Sequence, residues 1–440
     1  MKPCMLVLAA SLAATPALAQ SEAPHAGHQM PPAPASPPAD AHADHDMSAM
    51  GAHDMSAMDG GMQMTMAPSR DASGTAWQPD VTPHHGVHMM SGPWTVMTHA
   101  TLNLTYDDQS GPRGDDKTFV SGMVMSMATR AVGDAGRLQL RAMLSPDPIM
   151  GKRGYPLLLA SGETADGVDH LVDRQHPHDL FMELSARYDH PVGPGSAFVY
   201  VGMPGEPAFG PPAFMHRLSI MDSPEAPIAH HWLDSTHITF GVLTVGYILN
   251  DWKLEASQFT GREPDQHRWN FDKPRFDSTA LRVSWNPTPN LSLQTSWAHE
   301  NEPEQLEPGV DQTKWSASAI YTLPIGAEGY WSSTLAWGRR KADHEHALNA
   351  YVLESAVKPN ADWTVFGRLE RTQNDELAAG HHAYKVGKAS LGVIRDFALT
   401  DHLTFGVGGL YAVNFIPDGL EAAYGGDPHG AMGFIRLKLQ

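Results

Sequence analysis

From Trp94 to the C-terminus, apolar and polar residues alternate with a period of two in runs of about ten residues. In the first run Trp94, Val96, Ala100, Leu102, Leu104 and Tyr106 share one face, while Thr95, His99, Thr101, Asn103 and Thr105 share the other. Later runs repeat this. Leu281, Val283 and Trp285 oppose Arg282 and Ser284; Leu291, Leu293, Thr295 and Trp297 oppose Ser292, Gln294, Ser296 and Glu300; Trp363, Val365 and Leu369 oppose Thr364, Arg368 and Glu370. A period of two is that of a strand with one apolar face. The pattern predicts strands over 94–106, 118–131, 137–145, 179–189, 196–206, 236–249, 251–261 and 278–286. Eight more follow at 290–299, 313–323, 329–340, 348–357, 361–372, 384–396, 401–413 and 430–439.

The links between these runs alternate in length. Gly133-Asp134-Ala135-Gly136, Asn250, Pro287-Thr288-Pro289, Lys358-Pro359-Asn360 and Ala398–Thr400 are short, whereas 146–178, 207–235, 262–277, 300–312 and 414–429 are long. Short turns at one end and long loops at the other, on an even number of strands, describe an outer-membrane barrel. A soluble β-sandwich or propeller predicts no such alternation. Trp94, Tyr106, Trp285, Trp297, Trp315, Tyr321, Trp331 and Trp337 stand at strand ends, where a membrane barrel carries its aromatic girdles. The fold class is therefore all-β, an antiparallel transmembrane β-barrel of about 16 strands at residues 92–440. The chain ends Ile435-Arg436-Leu437-Lys438-Leu439-Gln440 rather than in the aromatic residue common to such barrels.

The N-terminal part follows another logic. Lys2, the apolar stretch Met5 to Ala14 and the small-x-small triplet Ala17-Leu18-Ala19 make an export signal over 1–19, with the mature chain beginning near Gln20. That apolar stretch is shorter than the roughly 20 residues a spanning helix needs. Cys4 leaves with the signal, so the mature chain has neither disulfides nor thiolate ligands. Residues 20–91 lack patterned apolar sequence and include the proline-alanine linker PPAPASPPAD, which predicts a disordered tail. The formal charge of -19 argues against nucleic acid as a partner and suits cations.

The tail is rich in soft and borderline ligands. His45-Asp46-Met47-Ser48-Ala49-Met50 recurs as His53-Asp54-Met55-Ser56-Ala57-Met58, followed by Met62, Met64 and Met66, and then by His84, His85 and His88. Thioether sulfur suits Cu(I), and imidazole suits Cu(II), Zn and Ni. The HDMSAM repeat resembles segments of periplasmic copper-handling proteins, among them the copper-resistance protein B family of outer-membrane barrels. That resemblance implies copper tolerance at the outer membrane, with periplasmic copper-handling proteins as partners. The phrase Gly205-Glu206-Pro207-Ala208-Phe209-Gly210-Pro211-Pro212 resembles segments of uncharacterised bacterial barrel proteins and implies no activity.

Two long loops hold the remaining chemistry. One carries His170, His176 and His178; the other carries His216, His230 and His231, with His237 beyond. These loops leave the same side of the barrel, and His176, His178, His216 and His230 or His231 are candidates for one four-ligand metal site. A hydrogen-bond network pinning the loops is the structural alternative. Ser235 beside Asp234 and the histidines is the hydrolytic alternative, although no nucleophile-elbow motif accompanies it. Met123, Met125 and Met127 form a stripe that predicts a lipid-facing position, because Ser126 and Arg130 on the opposite face belong inside. The combined expectation is a non-enzymatic, outer-membrane barrel with its tail in the periplasm, binding copper or a similar soft metal for export, sequestration or tolerance. A general porin or structural barrel and an outer-membrane hydrolase are the other readings.

Overall fold

The structure, a computed structural model, describes residues 70–380 and 382–440. The readings for 1–69, the export signal and the disordered part of the tail among them, lie outside these residues. In chain order the strands are β1 (Val87–Ser91), β2 (Trp94–Gln109), β3 (Asp116–Val132), β4 (Gly136–Leu144), β5 (Tyr155–Thr164), β6 (His170–Gln175) and β7 (Phe181–Val192). They continue as β8 (Gly195–Gly202), β9 (Val242–Leu249), β10 (Trp252–Phe259), β11 (Ser278–Thr288), β12 (Leu291–Glu300) and β13 (Gln312–Ile325). The last are β14 (Gly329–Ala342), β15 (Leu348–Lys358), β16 (Trp363–Asn374), β17 (Tyr384–Ala398), β18 (Leu403–Phe415) and β19 (His429–Leu439). A short helix, α1 (His230–Leu233), sits between β8 and β9.

Sixteen of the strands, β2 to β4 and β7 to β19, form one antiparallel ring. It closes where β19 pairs with β2, from Gly430 opposite Gln109 to Leu439 opposite Ala100. Closure leaves no strand edge unpaired, which is what lets a sheet cross a bilayer. Each ring strand coincides with one predicted run. The largest departure is β9, which starts at Val242 because residues 236–241 turn inward with the preceding loop.

The alternation separates the two faces physically. Along β14, Trp331 and Leu335 are exposed outward while Ser332, Thr334, Ala336 and Arg340 are buried inward. Outward Leu254, Leu369, Leu391 and Leu335 make an apolar surface of the kind lipid covers, and aromatic residues bound it at both ends. Near the short turns Trp252 stacks on Trp285 at 4.9 Å and Tyr321 meets Trp331 at 5.8 Å. Near the long loops Trp297 meets Trp315 at 6.4 Å. No helix among the described residues is long and apolar enough to cross a membrane.

Two features differ from the sequence reading. Residues 70–91, expected as the end of the disordered tail, are folded. Arg70 pairs with Asp80 (2.7 Å) and Asp251 (2.8 Å) and lies over Trp77, and Asn286 donates to Asp80 (2.7 Å). β1 then pairs with the start of β2, just past the end of β19. The methionine stripe faces the lumen: Met123 and Met125 are buried inward, while Val124 is exposed outward. The polar residues thought to forbid this are tolerated outside. Ser126 hydrogen-bonds Thr98 across the strand pair (2.8 Å), and Arg130, near the strand end, lies over the Trp94 ring at 5.3 Å. An arginine at the barrel rim reaches water, so its outward position costs little.

The outward face yields a direct test. Leu335→Arg, midway along β14, is expected to cost about 2–4 kcal/mol of stability in a bilayer. The urea midpoint in lipid vesicles reads this loss. An unchanged midpoint would mean that this face does not meet lipid.

Candidate functional site: imidazoles in the lumen

Three segments fill the ring from inside: residues 70–85, the loop carrying the β5–β6 hairpin, and the long β8–β9 connection. β5 is buried along its whole length. Charged wall residues receive these segments. Arg217 of the β8–β9 connection makes two hydrogen bonds to Glu354 of β15 (both 2.7 Å) and a third to Asp234 (2.6 Å). Arg268 joins Asp179 (3.0 Å) and Glu163 of β5, and Lys388 of β17 joins Glu225. α1 lies against the wall where Gly338 leaves room; a Cβ there would stand 2.5 Å from the Trp232 carbonyl. Arg340 covers the Trp232 ring at 4.6 Å.

Five imidazoles meet inside this frame. Ring centroids are separated by 5.1 Å for His178 and His237, 5.2 Å for His230 and His237, and 5.4 Å for His230 and His231. His176 lies 5.7 Å from both His230 and His231, and 6.4 Å from His178. Gly162 permits this approach, since its φ is +117° and a Cβ would stand 2.6 Å from the His231 ring.

Most of these rings are oriented through Nδ1. His230 Nδ1 donates to Asp234 Oδ1 (2.8 Å), His237 Nδ1 to the Asp234 carbonyl (2.6 Å), and His178 Nδ1 to Asp147 (2.9 Å). A carbonyl only accepts, so the His237 proton sits on Nδ1 and its Nε2 carries a lone pair. The Nε2 atoms of His178, His230 and His237 are buried without a hydrogen-bond partner in the protein. His176 Nε2 lies 3.3 Å from Glu163 without hydrogen-bond alignment. An unmet buried polar atom costs about 1–3 kcal/mol, so three in one place call for a ligand. A carboxylate or carbonyl on the far ring nitrogen is also the arrangement found behind metal-bound histidine.

Electrostatics divides the cluster. Burial, with the neighbouring imidazoles, holds His176 and His237 well below the usual histidine range. Burial also lowers His230 against the opposing pull of Asp234. His231 is the exception: burial works against its charge, but Glu263 at 3.2 Å lifts it to about 9. Glu304 is pushed up to about 8 by burial and then by the Glu263 charge. Ligand atoms of His231, Glu263 and Glu304 lie within 4.8 Å of one another; among the described residues this is the one group of three such side chains close enough to share an ion without rearrangement.

The structure thus brings together His176, His178, His230 and His231 and adds His237, which stands seven residues after His230 on the same connection. His216 is not part of this group. It joins His99 and the methionines around a separate cavity, which His84 and His85 also line. His88 lies on β1 opposite Met97, and His170 opens β6, where it acts with His231 on the Glu376 carboxylate. His45, Met47, Met50, His53, Met55, Met58, Met62, Met64 and Met66 lie outside the described residues. The orienting groups Asp147, Glu163, Glu263 and Glu304 escaped the sequence reading because isolated acids in loops carry no spacing signal. Ser235 accepts a hydrogen bond from Lys314 (3.3 Å), and both Asp234 oxygens are engaged by Arg217 and His230, so these residues are not arranged as a triad.

Among solved structures, Salmonella typhi OmpF in complex with daunomycin aligns at 8% identity and a TM-score of 0.53, covering 80% of this chain and all of that one. Pseudomonas putida OprB aligns at 10% identity and a TM-score of 0.51, over 79% and 94%. An anion-selective porin from Comamonas acidovorans aligns at 12% identity and 0.45, over 79% and 100%. No family model and no curated protein sequence matches the chain, so the likeness of the tail to copper-resistance protein B rests on the HDMSAM repeat alone. The fold is that of the bacterial outer-membrane porins.

The His231 group generates a pH prediction. Its histidine and Glu304 both sit above their ordinary values of 6.5 and 4.5. The stability each contributes is complete below the ordinary value and is lost as pH rises through the shifted one. The inner segments are therefore expected to loosen between pH 6.5 and 9, read as falling protection factors of residues 155–175, that is, exchange relative to the intrinsic rate at each pH. His231→Gln should flatten this dependence. Protection factors that hold constant or rise over the same range would contradict it.

Proposed function

We propose that the chain is a porin-type outer-membrane barrel whose lumen is adapted to bind a transition-metal ion, copper or one similar to it. The observation that carries this reading is the set of buried, unpartnered Nε2 atoms on His178, His230 and His237, each ring held from behind through Nδ1. Imidazole nitrogen is a ligand for copper, zinc and nickel. The reading assigns the metal the role of cargo: the tail, on the periplasmic side, collects it, and the barrel exports or sequesters it. On the long-loop side a cavity of about 20 Å³ is lined by Glu304, Glu307, Asp375 and Glu376, the last two paired with Arg340 (3.3 and 2.7 Å). No bond is made or broken in this account.

A general porin is the second reading, and the fold comparison favours it. It requires an open water-filled lumen, whereas here loops and the 70–85 segment occupy the ring and are tied to its wall by buried ion pairs. The two differ in an observable: a general porin passes salt with a large single-channel conductance, while a metal-adapted barrel does not.

The binding test uses the full chain refolded in detergent, with Cu(II) as the probe and a competing chelator to fix affinity. Joint replacement of His178, His230 and His237 by alanine should remove one tight equivalent while the tail keeps its own. Asp234→Asn, which replaces the carboxylate behind His230 with a neutral amide, should weaken that equivalent 10–100-fold. Unchanged stoichiometry and affinity in the triple variant would overturn the assignment.

A further inference from the structure

The remaining cavities lie along one wall of the barrel and have an unusual lining. Elsewhere the inward face carries charges matched by the inner segments. Between β2 and β4 it carries sulfur: Met97, Met123, Met125 and Met143 are buried together with Met182. Methionine commonly serves as an adaptable core filler. Filling alone does not account for what adjoins these side chains. Met97 and Met125, with Met127 and Met221, border a cavity of about 100 Å³ that is also lined by His85, His99 and His216. His216 is half-buried, yet its Nε2 is shut from solvent without a partner in the protein.

A second cavity adjoins this one. A space of about 60 Å³ shares Thr101 and Met221 with the first as lining and is also lined by Met123, Met215, His176 and His178. The first cavity begins at His84, His85 and the C-terminal Lys438 and Gln440, at the short-turn end. The second ends at the imidazole cluster. Strand register sets the spacing between ligands. Met97 stands opposite Met127, and His99 opposite Met125, which is itself opposite Met143. Neighbouring strands lie about 4.8 Å apart and same-face residues along a strand about 6.7 Å apart. Soft ligands therefore recur at steps an ion crosses by exchanging one for the next.

We propose that this methionine- and histidine-lined path binds a monovalent soft cation of the Cu(I) or Ag(I) class and conducts it between the short-turn mouth and the central histidines. Thioethers bond such ions while carrying neither charge nor proton. The fixed charges in the lining favour the same choice. Arg141 is paired with Glu183 (3.3 Å), Asp71 with Arg187 (2.8 Å), and Lys438 adds a positive charge. Among the described residues the one acidic side chain in this lining, Asp71, is already paired, whereas a soft ion still finds sulfur. The path rests on the metal reading of the central cluster only for its inner end.

The test uses the full chain in proteoliposomes, with Ag(I) as a redox-inert probe. A joint Met97→Leu, Met125→Leu, Met127→Leu, Met143→Leu variant preserves volume and should assemble with wild-type heat-modifiable mobility. Its Ag(I) flux is expected to fall at least tenfold, while tight Cu(II) binding at the central histidines persists. In wild-type protein carrying 13C-methyl methionine, Ag(I) should shift the Met97 and Met125 methyl resonances. Met125→Leu alone supplies the comparison if the joint variant fails to assemble, and a several-fold loss of flux is then expected. Wild-type flux in the assembled variant, or a wild-type barrel that passes no Ag(I), would overturn the proposal. Methionine shifts and Ag(I) flux in a barrel whose central histidines bind no Cu(II) would overturn the metal reading of that cluster while supporting the path.

Discussion

The lumen of this barrel depends on one buried ion network, Glu354–Arg217–Asp234. Arg217 is fully buried and spans from wall to inner segment, spending its guanidinium on two carboxylates. Glu354 also receives Arg368 (3.1 Å) and Ser219 (3.2 Å), so its charge is matched from several directions. Removing one member of such a network strands a charge, typically at about 3–5 kcal/mol. The consequence here is functional as well as structural. Asp234 presents an Oδ1 to His230 and a carbonyl to His237, so the arginine that holds the segment to the wall also sets the direction of two imidazoles.

A membrane barrel reverses the usual arrangement of a globular protein, with leucine outside and charge within. An unfilled lumen leaves those inward charges to water. In this chain they are met by the inner segments: Glu354 of β15 pairs with Arg217 (2.7 Å), Lys388 of β17 with Glu225, and Arg436 of β19 with Asp222, all largely buried. The inner segments thus follow from the wall, and the histidine and methionine groups occupy the places where ion pairing leaves off. The porin-type ring is generic; what distinguishes the molecule is how its interior is spent.

The ring was legible in the sequence because each strand meets lipid on one face and polar groups on the other, so the period of two is enforced at nearly every residue. The inner elements had no such signature. β5 is surrounded by protein on all sides and reads as a plain apolar run, and β1 is too short to show a period. The inward direction of Met123 and Met125 was hidden by Ser126 and Arg130 on the outward face, although Arg130 stands one residue from the end of the predicted run and so reaches the rim. Four of the five clustered histidines stood out from their number and loop placement. His237 and the carboxylates behind the rings did not, since their role comes from three-dimensional closure between loops far apart in sequence.

The account's central claim is that the inner segments are held to the wall so that His178, His230 and His237 offer unpartnered Nε2 atoms to metal. Diffraction from crystals of the full chain soaked in copper, recorded at the copper absorption edge, measures this directly. An anomalous peak within bonding distance of those Nε2 atoms is the predicted result. Peaks confined to surface histidines, with none among these three rings, would contradict it.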